Sequence, residues 1–412
     1  MRHGGLSSLF DGVAVKRLAA VDASPTTSNQ HEITGSGALI RILGDRDHRQ
    51  IRGGRDSRFD AVYVWLGEEG ESLTEDGRLS WYDSRRNKPR RAEWRLYYQD
   101  NAVTEMMSPG DSLFLARRSD DRLMFIVTPP GSTSESQLLW LFGLSPQISL
   151  AFEPRILAPS DDTEIGFAAR FILDELGIDA EEPDAARLDA ALEPLGLSLP
   201  SAVDLSTLAR RTTTGVDPRT DPDQTLLSWM QEEDRLFRRF ERRLVAARLT
   251  DGFRDAEQSK ADGFLGFSQG VQQLRRTRTD AALRSHLSAL FQAHDLIFDN
   301  LASTGNGPAF LFPGQSAAGD PTFPASRLTG LEVSLTPSWL DERPVRGLER
   351  VSPWHVVTLE PGLSTSQTDD LRRRDRRLVL PRPLHPTLRI EQRAELMDVG
   401  DFLSLARCRQ EA

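Results

Sequence analysis

The stretch from His286 to Thr336 constrains the fold more than any other part of the chain. It reads H-L-S-A-L-F-Q-A-H-D-L-I-F-D-N, then G-P-A-F-L-F-P-G, then L-E-V-S-L-T. Apolar residues at three- and four-residue steps predict a helix over Ala281–His294. Pro308 then opens a short apolar strand, a Gly-rich turn follows, and a second strand carries Glu332, Val333 and Ser334. A helix backed by two strands needs further layers to bury its apolar faces, which predicts an α/β domain around this stretch.

The full length of 412 residues suits two domains, each large enough for its own core. The hydrophobic fraction of 38%, with seven Trp and nineteen Phe, predicts a folded globular protein. Cys408 is the one cysteine, which excludes an intramolecular disulfide and a Cys-based metal cluster and suits a reducing cytoplasm. Without a run of eighteen apolar residues or the apolar core of a signal peptide, a cytoplasmic protein with no membrane contact is expected. The net charge of −10 argues against nucleic acid as a sum, but phosphate responds to the local field. Basic residues gather at Arg46–Arg58, Arg85–Arg95 and Arg372–Arg377, and acids between Asp161 and Asp204.

Residues 12–150 read as short strands broken by Gly, Pro, Asp and Ser, which suits a small barrel or pseudobarrel. The run from Gly131 to Ser160 is too apolar for a free linker. An acidic helical stretch from Asp162 to Asp223 reads as an insert. Thr225–Leu249 is an amphipathic helix with Leu226, Met230, Phe237, Phe240 and Leu244 on one face. Separate helical runs follow over Gly263–Thr279 and Ala281–His294, strands and turns continue to Leu380, and Ile390–Ala406 reads as a closing helix.

Several stretches together resemble the EcoRII-type restriction endonucleases. They are V-A-V-K-R-L-A-A-V-D-A and W-Y-D-S-R-R-N-K-P-R-R-A-E-W-R near the start, and P-D-Q-T-L-L-S-W-M-Q-E-E-D-R-L-F and G-F-S-Q-G-V-Q-Q-L-R-R-T-R in the middle. The stretch R-L-V-L-P-R-P-L-H-P-T-L-R-I-E-Q-R-A-E-L-M-D-V-G-D-F-L closes the series. The resemblance implies an α+β multidomain protein: a B3-like β pseudobarrel for DNA over 1–150, then an interdomain segment and acidic helical insert over 151–222. A PD-(D/E)xK-type endonuclease domain follows over 223–412. Such a nuclease needs carboxylates to hold Mg²⁺ and a Lys near the attacked phosphate. At the matching positions stand Arg284 and Ser288 on the helix, Ala309 after the Pro, and Ser334 in place of the Lys; Ala318 stands where a tyrosine is expected. Asp299, Asp320 and Glu332 are the neighbouring acids, and no Lys follows Lys260. Arginine cannot serve as the base, since it stays protonated.

Within Ser84–Arg95, an extended backbone puts Arg91, Glu93 and Arg95 on one side and Ala92, Trp94 and Leu96 on the other. Arginine reads guanine O6 and N7, and glutamate accepts from cytosine N4, so one strand could read a G·C-rich half-site. A solvated edge strand that blocks aggregation is the plainer reading. The resemblance places Arg91, Glu93 and Arg95 in a DNA-gripping arm, with Trp94 where a Lys is expected and Arg85, Arg86 and Lys88 beside them. It places Lys16, Arg17 and Asp22 in a second arm, the two cations facing phosphate. His286 and His294 lie eight residues apart, about 12 Å along a helix, too far to share a metal. The expected protein is a catalytically silent, sequence-specific binder of double-stranded DNA with no cofactor, acting in restriction or phage defence, with homodimerisation and a protein partner implied by the family context. The alternatives are a Mg²⁺-dependent endonuclease with migrated catalytic residues and a protein-interaction scaffold.

Overall fold

The computed structural model describes residues 5–23, 31–37, 39–44, 57–67, 72–85, 92–161, 166–178, 184–196, 200–252, 260–301, 309–333, 348, 350–394 and 396–411. The chain divides into two units, Met1–Glu181 with Pro361–Thr365, and Glu182–Glu360 with Ser366–Ala412. The division at 181/182 falls inside the expected interdomain segment 151–222. This acidic segment forms no body of its own, because its amphipathic helices are shared between the two units.

The first unit holds β1 (Phe10–Arg17), α1 (Ala20–Ala23), β2 (Glu32–Thr34), α2 (Ile40–Leu43), β3 (Ser57–Leu66), β4 (Ser72–Asp83) and β5 (Trp94–Tyr98). It continues with α3 (Ala102–Met106), β6 (Ser112–Arg118), β7 (Leu123–Thr128), α4 (Thr133–Leu141), β8 (Glu153–Ile156) and α5 (Phe167–Glu175). One eight-stranded sheet runs β2-β5-β4-β3-β7-β6-β1-β8. The described pairs are antiparallel except β3 with β7. Strands β6 and β7 are apolar at successive residues because both faces are covered. Leu113, Leu115 and Phe125 enter a core with Tyr63, Trp81 and Tyr98. Phe114, Ala116 and Ile126 pack on the other face against Leu138 and Phe142 after α4 and Ile172 of α5. The apolar run L-L-W-L-F is therefore helix α4 and its end, docked on the sheet. Gly35 is required by close approach, since a Cβ there would meet the Trp81 ring at 2.4 Å.

The second unit holds α6 (Ala185–Leu192), α7 (Ala202–Thr212), α8 (Pro222–Asp251), α9 (Lys260–Ala293), β9 (Asp299–Leu301), β10 (Ala309–Phe312) and α10 (Gln315–Gly319). Then come β11 (Thr329–Val333), β12 (Trp354–Val357), α11 (Thr365–Arg373), β13 (Arg376–Val379), α12 (Ile390–Arg393) and α13 (Val399–Glu411). Leu188, Leu192, Leu205 and Ala209 seat α6 and α7 on Leu236, Phe237 and Phe240 of α8. The two helical runs expected between Gly263 and His294 are one helix, α9. The closing helix is instead broken at Asp398, whose carboxylate accepts from Asp401 N at 2.7 Å and starts α13. Five strands run β13-β12-β11-β10-β9, with β11, β12 and β13 parallel and β9, β10 and β11 antiparallel. Phe310 and Phe312 turn to Phe291 of α9, with ring centroids 5.0 Å apart in each case. Among the described residues no helix is long and apolar enough to cross a membrane.

Two buried ionisable groups make the units respond to pH with opposite sign. Burial beside Asp174 pushes the Glu175 carboxyl from 4.5 up to about 7. The folded form then holds a proton that the unfolded chain has released, so stability is present at low pH and falls as pH rises through 4.5 to 7. Burial pulls His355 from 6.5 down to about 4, with Arg409 and Arg377 adding to the shift and the Gly330 carbonyl opposing it. There the unfolded chain binds the extra proton, so stability is lost as pH falls from 6.5 to 4, by about 3 kcal/mol at most. Urea denaturation of Glu175→Gln should lose the decline at rising pH, and His355→Phe should lose the decline on acidification. Wild-type pH dependence in both variants would contradict these assignments.

Candidate functional site

The helix, strand, turn and strand expected around the nuclease-like positions are present. Strands β10 and β11 lie side by side, and their register sets Ala309 opposite Glu332. Ser334 lies outside the described residues. Glu332 is buried, and its Oε2 accepts from Arg376 Nη1 of β13 at 2.6 Å, with both side chains at most 10% exposed. Arg376 stands level with Trp354 and Gly330, so the ion pair reaches diagonally over β12. A Cβ at Gly330 would meet the Trp354 ring at 2.4 Å, so glycine is needed for the ring to lie flat there.

The remaining acids are engaged elsewhere. Asp299 on β9 accepts from Gln315 N at 2.7 Å and fastens the start of α10. Asp320 is exposed, accepts from the Thr322 amide and hydroxyl, and is held below the usual carboxylate range by those bonds. On α9, Ser288 Oγ donates to the Arg284 carbonyl at 2.9 Å, and Arg284 is half-buried. Ala318 is buried on α10. Magnesium takes several oxygen ligands in near-octahedral array. Ala309 brings no side-chain oxygen, Glu332 is bound to Arg376, and no cluster of three His, Cys, Asp or Glu suited to a metal occurs among the described residues. As placed, these residues do not fit a shared Mg²⁺.

The two histidines of α9 have separate roles. His294 Nε2 lies 2.7 Å from the Pro218 carbonyl. His286 is buried, with Nε2 at 2.8 Å from Glu233 Oε2 of α8 and Nδ1 at 3.2 Å from Arg210 Nη1 of α7. Arginine only donates, so Nδ1 accepts and the proton of the neutral ring sits on Nε2, facing Glu233. Burial lowers the His286 pKa, while Glu233 opposes that shift. Glu233 Oε1 accepts from Arg278 Nη1 at 3.0 Å, and the Arg278 guanidinium lies 3.8 Å from the centre of the Phe237 ring.

In the first unit the expected arms are partly occupied by internal bonds. Lys16 Nζ donates to Asp22 Oδ2 at 2.7 Å, and both side chains are at most 4% exposed. This corrects the expectation of a phosphate-facing Lys16, whose ammonium is buried with its counter-ion. Arg17 donates to Glu135 Oε1 at 2.6 Å and to the Gly110 carbonyl at 3.1 Å, which fixes β1 to α4. In the arm around Ser84–Arg95, Asp83 Oδ1 accepts from the amides of Arg85 and Glu93, at 2.9 and 2.8 Å, and so draws the hairpin ends together. The Glu93 carboxylate is gripped by Arg85 and Arg95, and Arg95 also donates to Thr34 Oγ1 at 2.8 Å. Glu93 therefore reads as a positioner of two guanidinium groups, in contrast to the expected free acceptor for cytosine. Trp94 stacks on Trp81 at 5.0 Å and 14°, on the core side of the strand as its alternation implied. Arg86, Lys88 and Arg91 lie outside the described residues, as does nearly all of the Arg46–Arg58 run. The Arg372–Arg377 run spans the end of α11 and the start of β13, and the Arg376 side chain is buried with Glu332.

In the second unit, residues 237–403 match the family described as EcoRII C terminal. Along 187 residues the chain is 33% identical to the type II restriction enzyme EcoRII of Escherichia coli, which is 45% of this chain and 45% of that enzyme. The chain thus spans about half the length of that relative. A solved structure of metal-depleted Ecl18kI in complex with uncleaved, modified DNA aligns at TM-score 0.40 and 13% identity, over 55% of this chain and 85% of that one. Metal-depleted Ecl18kI with uncleaved DNA aligns at TM-score 0.37 and 13% identity, over 55% and 78%.

Arg210 and Glu233 were not singled out by sequence reasoning. No one-dimensional pattern ties Arg210, in the acidic segment, to a helix that begins at Lys260. Replacing Lys16 by Ala should destabilise the first unit by about 3–5 kcal/mol, because Asp22 is left buried and unpaired. Urea denaturation measures this. Unchanged stability with weakened DNA binding would return Lys16 to the surface role.

Proposed function

We propose that this protein binds double-stranded DNA sequence-specifically, on the plan of an EcoRII-type enzyme whose nuclease domain no longer cleaves. In this reading the first unit is a B3-like DNA reader, and the second is a PD-(D/E)xK-like domain kept for its architecture. The protein acts in restriction or phage defence as a sensor or recruiting subunit.

The observation that carries the reading is the pairing of Glu332 with Arg376 opposite Ala309. A metal-dependent nuclease needs that acid free for its cation, with a second carboxylate at the neighbouring strand position. Here the first is neutralised by a guanidinium and the second is a methyl group. The DNA half of the reading is supported by the Arg85–Glu93–Arg95 cluster. Its carboxylate fixes two guanidinium groups at the mouth of the β4–β5 hairpin, and a pre-positioned Arg is the usual reader of guanine.

Gel shift and cleavage should be scored together on methylated and unmethylated duplexes with Mg²⁺. The expected result is binding without strand scission. Arg85→Ala and Arg95→Ala should each weaken a preferred site by about 1–3 kcal/mol, the worth of a base-reading contact. Glu93→Ala should weaken it through loss of positioning. Efficient cutting that EDTA and Glu332→Ala both abolish would establish an active enzyme instead.

A further inference from the structure

The second unit contains a pocket of about 400 Å³ between α7, α9 and β9, and its polar lining consists of Arg210, Arg284, Ser285, Ser288, Gln292 and Asn300. None of its lining residues is acidic. Arg284 Nε is buried with no hydrogen-bond partner, and the guanidinium makes no ion pair among the described residues. Arg210 spends Nη1 on Ser285 and His286 and Nη2 on Thr207, all neutral groups, and makes no ion pair with a carboxylate among the described residues. Ser285 Oγ accepts from Arg210, which leaves its own proton to donate. Burial lowers both arginines from their ordinary value, with Glu233 partly offsetting this for Arg210 and Asp280 for Arg284.

We infer that this pocket is a binding site for a phosphorylated ligand of mononucleotide size. Two guanidinium groups without a contacting carboxylate select an anion, and a phosphate offers the several acceptor oxygens that converging Arg and Ser donors require. The volume exceeds a bare phosphate and lies in the range of small-ligand pockets, roughly 300–1,000 Å³. The amides of Gln292 and Asn300 supply donors and acceptors for the rest of the ligand, and Ala202, Val203 and Ala289 give it an apolar wall. This assignment does not depend on the DNA-binding reading, whose residues lie in the first unit.

Calorimetry on the full chain with deoxyadenosine 5′-monophosphate, deoxyadenosine and inorganic phosphate tests the site. The monophosphate should bind saturably and the nucleoside should not. Arg284→Gln should weaken binding about ten-fold or more, the usual worth of a charged hydrogen bond, and Arg284→Lys should restore part of it. Asn300→Asp, at an exposed strand position that tolerates exchange, should weaken it as well by repelling the anion, and covers the case in which Arg284→Gln fails to fold. Equal binding by wild type and Asn300→Asp, or none at all, would overturn the site. Inorganic phosphate matching the monophosphate would overturn the nucleotide-sized ligand. Duplex binding measured in parallel separates the two readings. Its absence from every protein while monophosphate binding persists sinks the DNA reading and upholds the pocket; loss of duplex binding in Arg284→Gln without monophosphate binding sinks the pocket.

Discussion

Glu233 is the residue on which the helical half of the second unit depends. Its carboxylate, 1% exposed, meets Arg278 and His286 of α9, and His286 in turn receives Arg210 of α7. Three helices are thus joined through one buried anion. Removing one partner of such a network leaves an uncompensated buried charge, at a cost of about 3–5 kcal/mol. The network also reaches the Arg210–Arg284 pocket through Arg210, whose guanidinium is held by its bonds to Ser285 and His286.

Across the sheet of the same unit a second buried pair, Glu332 with Arg376, uses similar physics to a different end. In a nuclease of the implied kind an acid on this strand is stabilised by a divalent cation. Here the compensating charge comes from the chain itself, on β13. A carboxylate bound this way is compensated without metal, on a strand whose register sets it opposite Ala309. The two arginines therefore differ in their surroundings: Arg376 is paired with Glu332, and Arg284 makes no ion pair among the described residues.

Much of this fold was legible in the sequence, for reasons that differ by element. The short apolar runs A-V-Y-V-W-L and L-M-F-I-V-T, bounded by turn residues, gave β3 and β7, and the apolar stripe from Leu226 to Leu244 gave α8. Pro308 and the acid at Glu332 marked two strands that do pair. Helix α9 was divided in the sequence because Gly266, Gly270 and the polar run Arg275–Asp280 weaken its apolar period, yet the helix is continuous. The acidic segment hid its role because Leu188, Leu205 and Ala209 reveal their partner only once α8 lies against them. Lys16 and Asp22 were misread for a similar reason. Charges six residues apart look like surface groups until the chain turns after β1 and buries both.

The proposed function depends on Arg376 holding Glu332 against a cation. Titration of the full chain with Mg²⁺ or Mn²⁺ in the presence of duplex DNA, followed by calorimetry, tests this most directly. No saturable uptake that depends on Glu332 is expected, with wild type and Glu332→Gln indistinguishable. Saturable metal binding by the wild type that Glu332→Gln removes would contradict it.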